Sequence, residues 1–175
     1  DVTGADLSEN SINFAKQFEN DTLNFEVHDM CKPFNKPFDA IFNLFTSFGY
    51  FANDDDNLTT LKAMKESLTN YGFAVIDFMN VNQVINTLVP EEVKTVDNID
   101  FHLKRYVLAG HIYKEIDFED QGKKYHFTEK VKALTLQDFQ DMMEEAGIFL
   151  LDVFGDYKLK KFHKNDSERL IMIFK

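Results

Sequence analysis

Short apolar runs followed by acidic residues mark the first part of the chain. Residues 1–6 are typical of the end of a buried strand and finish at Asp6, after which a helix is predicted over residues 9–18. Residues 23–28 alternate apolar and polar side chains, as an edge strand does, and Asp29 follows them. The pattern therefore predicts two strands, each with a carboxylate at its carboxyl end.

Two longer apolar runs continue the alternation of strands and helices. Residues 38–45 are almost continuously apolar, which predicts a strand that is central in the sheet and covered on both faces. A helix is expected over residues 58–68, and a further strand over 73–78 contains the acid Asp77. Strands alternating with helices favour a doubly wound, Rossmann-like α/β domain with a mostly parallel sheet.

The period of the pattern changes to two between residues 99 and 135. Three amphipathic strands are predicted there, and they form an inserted antiparallel β cap. A helix is expected over residues 136–146, and the apolar runs 148–154 and 169–174 suit an antiparallel terminal hairpin. We interpret the whole chain, residues 1–175, as one core domain that carries this cap.

Composition and charge narrow the class of protein. Hydrophobic residues make up 44% of the chain and aromatic residues 14%, which is enough apolar surface for a folded core. The net charge of -11 argues against nucleic acid as a partner, because phosphate contacts need clustered Lys and Arg. No apolar run is long enough to span a membrane, and the single Cys31 cannot form an intramolecular disulfide. We predict a cytoplasmic protein.

The carboxylates at the strand ends are the first candidate functional residues. Ligands of open parallel sheets bind beyond the carboxyl ends of the strands, so Asp6, Asp29 and the segment after Phe42 are expected to line one crevice. A carboxylate such as Asp6 can accept both hydroxyl groups of a ribose. Asp also commonly starts turns and caps helices, and that structural role remains an alternative for Asp6 and Asp29.

Three sequence strings together resemble small-molecule class I S-adenosylmethionine-dependent methyltransferases. They are residues 2–8 (VTGADLS), 28–30 (HDM) and 38–51 (FDAIFNLFTSFGYF). The resemblance implies that S-adenosyl-L-methionine is the cofactor and that a methyl group is transferred to a small-molecule acceptor. It further implies roles for the residues at matching positions: Asp6 holds the ribose, Leu7 packs on adenine, Asp29 accepts a hydrogen bond from the adenine amino group, and Met30 supplies a backbone contact.

The resemblance of the third string implies which residues lie near the transferred methyl group and the acceptor. Asn43 and Leu44 match positions that face the methionine moiety and the methyl group, while Phe45, Phe48 and Tyr50 match a substrate pocket. Packing in the core is the alternative for each aromatic residue. The methyl donor carries its own electrophile, so the protein mainly has to align the acceptor and exclude water.

No general base and no metal site are assigned from the sequence. Several tyrosines and histidines could remove a proton from an acceptor, but a surface or packing role is favoured for each of them. The histidines of the predicted cap do not have the spacing of a metal-ligand motif. The candidates for proton removal are Tyr50, Tyr106, His102, His111 and His126.

One part of the family pattern has no counterpart in these residues. The pattern places a first strand and a glycine-rich turn before the strand that ends at Asp6, and residues 1–175 contain neither. We expect the chain to be a fragment of a longer protein, or a second copy in a homodimer to supply the strand, and activity of the chain alone stays open. Two other functions remain: a non-catalytic binding module on the same scaffold, and a nicotinamide-dependent oxidoreductase.

Overall fold

The computed structural model describes all residues from 1 to 175, which form ten strands and four α-helices. In chain order these are β1 (Val2–Asp6), α1 (Glu9–Ala15), β2 (Leu23–Val27), β3 (Phe38–Asn43), α2 (Asp55–Glu66), β4 (Leu68–Met79), α3 (Val81–Asn86), β5 (Glu91–Val96), β6 (Ile99–Leu108), β7 (His111–Asp120), β8 (Lys123–Lys132), α4 (Leu136–Glu145), β9 (Leu150–Phe154) and β10 (Arg169–Phe174). A 3₁₀ turn, Lys16–Phe18, extends α1. The predicted α/β class is confirmed.

The strands form three sheets. The central sheet has the order β3-β4-β10-β9, in which β3 and β4 are parallel and β10 is antiparallel to both of its neighbours. Strands β1 and β2 form a separate parallel pair, and no hydrogen-bond ladder joins β1 to β3. Strands β5 to β8 form an antiparallel sheet with the order β5-β6-β7-β8.

Strand β3 is not the central, doubly covered strand that its apolar run predicts. It pairs with β4 on one side only, so it is an edge strand of the central sheet in this structure. Its side chain Phe42 is 59% exposed, although its ring packs edge-on against Phe73 of β4. An apolar run predicts burial on both faces, but the burial itself depends on elements elsewhere in the chain.

The antiparallel sheet begins earlier and has one strand more than the sequence predicts. Strand β5 starts at Glu91, whereas the predicted insertion starts at residue 99. Strand β5 is mostly exposed and rich in charged residues, so it lacks the apolar alternation that identifies a strand. The turn after it is formed by Asp97 and Asn98, which both have positive φ, as a tight hairpin requires.

The core lies between the central sheet and helices α2 and α4. Phe139 of α4 is fully buried, and its ring centroid lies 5.3 Å from those of Phe48 and Phe78. Helix α4 starts with a capping box, in which Thr135 and Asp138 each accept a hydrogen bond from the other's backbone N–H. These contacts fix α4 against the sheet. None of the helices is both long enough and apolar enough to cross a membrane.

Candidate functional site

The carboxylates at the ends of β1 and β2 lie next to each other. The two strands are parallel and in register from Val2 to Asp6, and the N–H of His28 donates to the carbonyl oxygen of Asp6 over 3.0 Å. Asp29 follows His28 directly. The structure therefore brings the two predicted acids together at the carboxyl edge of this pair of strands.

Both acids also make the turn contacts that the structural alternative predicts. Asp6 Oδ1 accepts from the N–H of Ser8 over 2.7 Å, and Asp29 Oδ1 accepts from the N–H of Cys31 over 3.0 Å. Each contact uses one carboxylate oxygen only. Asp6 Oδ2 has no hydrogen bond within the protein, and the nearest cation to Asp29 Oδ2 is Lys32 Nζ at 3.6 Å. Each carboxylate retains an oxygen that can accept from a ligand.

The electrostatics of Asp29 favour its ionised form. The hydrogen bond from the backbone of Cys31 lowers the pKa of Asp29 below its usual 3.8, and the nearby Lys32 ammonium acts in the same direction, against a smaller opposing effect of burial. Asp29 is therefore an anionic acceptor at neutral pH.

Asn43, the last residue of β3, has an acceptor atom without a partner. Its Oδ1 is buried and makes no hydrogen bond, while its Nδ2 lies 3.9 Å from Met30 Sδ, which is a weak acceptor. Leaving such an atom unpaired costs about 1–3 kcal/mol. The contact with Met30 also places Asn43 next to the segment that follows β2. Two predicted site residues, one at the end of β3 and one in the segment after β2, are thus in contact, although no hydrogen-bond ladder joins the two sheets.

The predicted apolar residues of the site differ in their accessibility. Leu7 and Phe45 are 71% and 75% exposed, and Tyr50 is about half exposed. Phe48 is completely buried and packs against Phe139, so the structure places it in the core rather than on an accessible pocket wall. Phe45, Phe48 and Tyr50 are aromatic residues close together in the sequence, so the sequence alone could not distinguish the buried ring from the accessible ones.

The antiparallel sheet contacts the segment after β3. The N–H of Lys132, the last residue of β8, donates to the carbonyl oxygen of Gly49 over 2.9 Å, and Lys132 Nζ lies 2.7 Å from Asp54 Oδ2. Burial raises the pKa of Tyr50, and the Glu129 carboxylate of β8 adds to that rise. Tyr50 is therefore a neutral hydroxyl at physiological pH, beside the charged face of this sheet.

The histidines of the antiparallel sheet do not form a metal centre. His126 Nδ1 lies 2.7 Å from Asp117 Oδ1, and His111 Nδ1 lies 2.9 Å from the carbonyl oxygen of Ala109. No group of three or more His, Cys, Asp or Glu side chains is arranged to hold a metal ion.

A buried carboxylate that the sequence analysis assigned to no site lies beside the candidate residues. Asp77 of β4 is 1% exposed, and its carboxylate accepts hydrogen bonds from Phe45, Tyr157 and Arg169. An acid inside the apolar run of β4 was the only available signal in the sequence. Arg169 and Tyr157 come from the far end of the chain, and no local pattern connects them to Asp77.

Comparison with known proteins shows a likeness in structure but not in sequence. The sequence matches no protein-family model and no curated protein. Among solved structures, an S-adenosylmethionine-dependent methyltransferase from Clostridium acetobutylicum has a TM-score of 0.84 at 20% identity, covering 99% of this chain and 74% of that one. The CcbJ methyltransferase from Streptomyces caelestis has a TM-score of 0.81 at 14% identity, with the same coverage.

A third similar structure was solved with its cofactor bound. The amino pentose methyltransferase CalS10 from Micromonospora echinaspora, in complex with S-adenosylmethionine, has a TM-score of 0.73 at 14% identity, covering 99% of this chain and 72% of that one. At these identities the likeness establishes the fold. The chain has the α/β fold of small-molecule S-adenosylmethionine-dependent methyltransferases, and the likeness extends over almost all of its length.

Proposed function

We propose that this chain forms most of a methyltransferase that transfers a methyl group from S-adenosyl-L-methionine to a small-molecule acceptor. The observation that carries the proposal is the unpartnered, buried Oδ1 of Asn43. The Asn43 side chain contacts Met30, the residue after Asp29, and thus lies next to the segment that follows the carboxyl ends of β1 and β2. Three polar acceptors at the ends of neighbouring strands suit a ligand that carries hydroxyl, amino and ammonium groups. S-adenosyl-L-methionine has all of these groups.

The adenosine end of the cofactor is proposed to bind at β1 and β2. The free Oδ2 of Asp6 would accept from the ribose hydroxyls, and the ionised Asp29 would accept from the adenine amino group. The exposed Leu7 side chain would pack on the adenine ring, and Met30 would add a backbone contact. In this position Leu7 gains a partner for an apolar surface that is otherwise in water.

The methionine end is proposed to bind at the end of β3. Asn43 Oδ1 would accept from the ammonium group of the cofactor, which removes the cost of an unpaired buried acceptor. Leu44 would contact the methylene groups of the cofactor next to the sulfonium. When bound, the cofactor supplies an electrophilic methyl group. The residues of this chain hold the acceptor in line with that methyl group and keep water out.

The acceptor is proposed to bind between the segment after β3 and the antiparallel sheet. Phe45 and Tyr50 offer accessible aromatic surface there, and the contact between Lys132 and Gly49 holds the antiparallel sheet beside them. Phe48 supports this segment from the core. We assign no general base, because an acceptor amine that is already neutral needs none before methyl transfer.

We also propose that a further β-strand pairs with the free edges of β1 and β3. Each of these strands has only one hydrogen-bonded neighbour, and unpaired strand edges are unfavourable when they are not in water. The strand would come from a segment outside these residues or from a second copy of the chain. Light scattering on the full-length protein distinguishes the two sources, because only the second requires a dimer.

Calorimetric titration of the full-length protein with S-adenosyl-L-methionine tests the cofactor assignment. Asp6→Ala should weaken binding about tenfold or more, because a hydrogen bond to a charged group contributes about 1.5–3 kcal/mol. Asp21→Ala is the matched control, since Asp21 is exposed in the turn before β2 and should leave binding unchanged. Equal affinities of the parent protein and Asp6→Ala would refute the assignment.

A non-catalytic binding module is the second candidate function. The absence of a hydrogen-bond ladder between the β1–β2 pair and the central sheet favours it, because the proposed cofactor site includes residues from both of these parts. Formation of S-adenosylhomocysteine in the presence of a panel of small amines and hydroxyl compounds separates the two functions. A binding module would bind the cofactor without forming this product. Binding of NADH instead would indicate the oxidoreductase.

A further inference from the structure

The carboxylate of Asp77 is the centre of a hydrogen-bond network that joins three distant parts of the chain. Its Oδ1 accepts from Arg169 Nε over 2.7 Å. Its Oδ2 accepts from the Tyr157 hydroxyl and from the N–H of Phe45, both over 2.9 Å. Asp77 is 1% exposed, so these three donors replace nearly all of the water that a carboxylate would otherwise bind.

The same network holds a strained turn. Phe45 and Thr46 have φ angles of 57° and 62°, in the left-handed region that non-glycine residues seldom adopt. The N–H of Thr46 donates to the carbonyl oxygen of Asp77 over 2.9 Å, and Arg169 Nη2 donates to Thr46 Oγ1 over 3.0 Å. Both left-handed residues are thus bound to Asp77 or to its partner Arg169.

The arrangement is costly for a simple connection between a strand and a helix. Two consecutive left-handed residues with side chains are strained, and a buried carboxylate is expensive unless it is fully paired. A glycine at either position would make the turn without this network. Strained backbone of this kind persists where the surrounding contacts hold it in place, and it concentrates at functional sites.

The turn lies at the site described above. It begins at Leu44, directly after Asn43, and it carries the exposed ring of Phe45. Tyr157, on the loop between β9 and β10, is also more than half exposed, although its hydroxyl reaches the buried carboxylate. Two accessible aromatic side chains are therefore tied to one buried anion.

We propose that Asp77, Arg169 and Tyr157 are positioning residues, which hold the turn Leu44–Thr46 so that Phe45 forms a fixed wall beside the reacting methyl group. This inference rests on the proposed methyltransferase function. The three residues act through the turn and do not themselves contact the cofactor.

The backbone part of the inference is tested by amide hydrogen exchange, followed by nuclear magnetic resonance without ligand. Asp77→Asn should speed exchange of the Phe45 amide about tenfold or more, because it replaces the carboxylate that accepts from this amide and leaves Arg169 without its anion. The Thr46 amide keeps its acceptor, the main-chain carbonyl of Asp77, and should exchange faster only because the turn is held less firmly. Tyr157→Phe, which removes one donor only, should have a smaller effect in the same direction and serves if Asp77→Asn does not fold. Tyr71→Phe is the control, since Tyr71 is fully exposed.

A single tryptophan reports on the wall itself. The chain has no tryptophan, so Phe45→Trp provides a unique fluorescent probe at the turn. S-adenosyl-L-methionine should change its emission more than S-adenosylhomocysteine does, because only the former carries a sulfonium cation next to the ring. In Phe45→Trp/Asp77→Asn protein this difference should fall at least about threefold, while calorimetry still detects cofactor binding.

Glycine rescue separates positioning from a general loss of stability. Thr46→Gly permits the left-handed conformation without strain, whereas Thr46→Ala removes the same hydroxyl and keeps the strain. Added to Phe45→Trp/Asp77→Asn, Thr46→Gly should restore at least about half of the fluorescence difference and Thr46→Ala should restore none. A residue that only stabilised the core would lower the melting temperature without this selective rescue.

The outcomes distinguish the two proposals. Unchanged amide exchange in both Asp77→Asn and Tyr157→Phe, or equal effects of glycine and alanine at position 46, would overturn the positioning role. If the parent protein does not bind S-adenosyl-L-methionine in calorimetry, the proposed function and the wall beside the methyl group both fail. The amide exchange then still decides whether Asp77 holds the turn.

Discussion

Replacing Asn43 with leucine should make the protein more stable and a poorer binder of the cofactor. The Oδ1 atom of Asn43 is buried without a partner, and its Nδ2 has only the weak 3.9 Å contact with Met30 Sδ. Leucine has a similar volume and no polar atoms, so it removes an unsatisfied group without leaving a cavity.

The expected magnitude follows from these contacts. The unpaired acceptor costs about 1–3 kcal/mol, and the contact with sulfur offsets only a small part of that cost. Asn43→Leu should therefore raise the free energy of unfolding by about 1 kcal/mol, which corresponds to a rise in melting temperature of about 2–4 °C for a chain of this size. Loss of the hydrogen bond to an ammonium group should weaken cofactor binding about tenfold or more.

Asn57 provides a matched control. Its Oδ1 is also buried without a partner, but Asn57 lies in helix α2, and none of the residues proposed to bind the cofactor belongs to that helix. Asn57→Leu additionally loses the 3.0 Å hydrogen bond from Nδ2 to the carbonyl oxygen of Asp54, so its stability should change less. Its cofactor affinity should equal that of the parent protein.

Urea denaturation and calorimetric titration of the three proteins measure both effects. A clear loss of stability in Asn43→Leu, together with unchanged affinity for S-adenosyl-L-methionine, would show that the unpaired Asn43 Oδ1 neither destabilises the fold nor contacts the cofactor. The reasoning that connects the unpartnered atom to the cofactor would then be refuted.

Two further predictions concern the core and the dependence of stability on pH. Phe139→Ala should lower the free energy of unfolding by about 3–5 kcal/mol in urea denaturation, because a fully buried ring is removed, whereas the 70% exposed Phe149 should tolerate alanine; similar losses in both variants would contradict the assigned core. The pKa of Asp29 is lower in the folded protein than its unfolded value of 3.8, so its contribution to stability is present above pH 3.8 and is lost as the pH falls through the folded pKa. Asp29→Asn should therefore flatten the acid side of a pH titration of stability, and an unchanged acid limb would show that Asp29 is not preferentially ionised in the fold.

The sequence predicted well those features that depend on short stretches of chain. The ends of β1 and β2 follow from local alternation and from the acids Asp6, which is the last residue of β1, and Asp29, which lies two residues beyond β2. The start of α4 at Leu136 follows from the capping residue Thr135 and the apolar face behind it. Each of these signals lies within about one turn or one strand, so no distant contact was needed to find it.

Local sequence patterns could not predict strand β5 or the exposure of β3. The charged, exposed residues of β5 form a strand only because β6 pairs with them, and the exposure of Phe42 depends on which strand lies beside β3. Propensity and periodicity describe one segment at a time, whereas pairing and burial depend on its neighbours in space.

The residues of the candidate site also differ in whether the sequence alone could place them. Sequence alone placed Asp6 and Asp29 at strand ends, because these strand boundaries are local. It extended the third strand to residue 45, whereas β3 ends at Asn43. Only the tertiary structure decided that Asn43 reaches Met30, that Phe48 lies in the core, and that Asp77 is paired with Arg169, a residue 92 positions along the chain. A buried ion pair needs two residues that the fold brings together, and a pattern read along one strand contains only one of them.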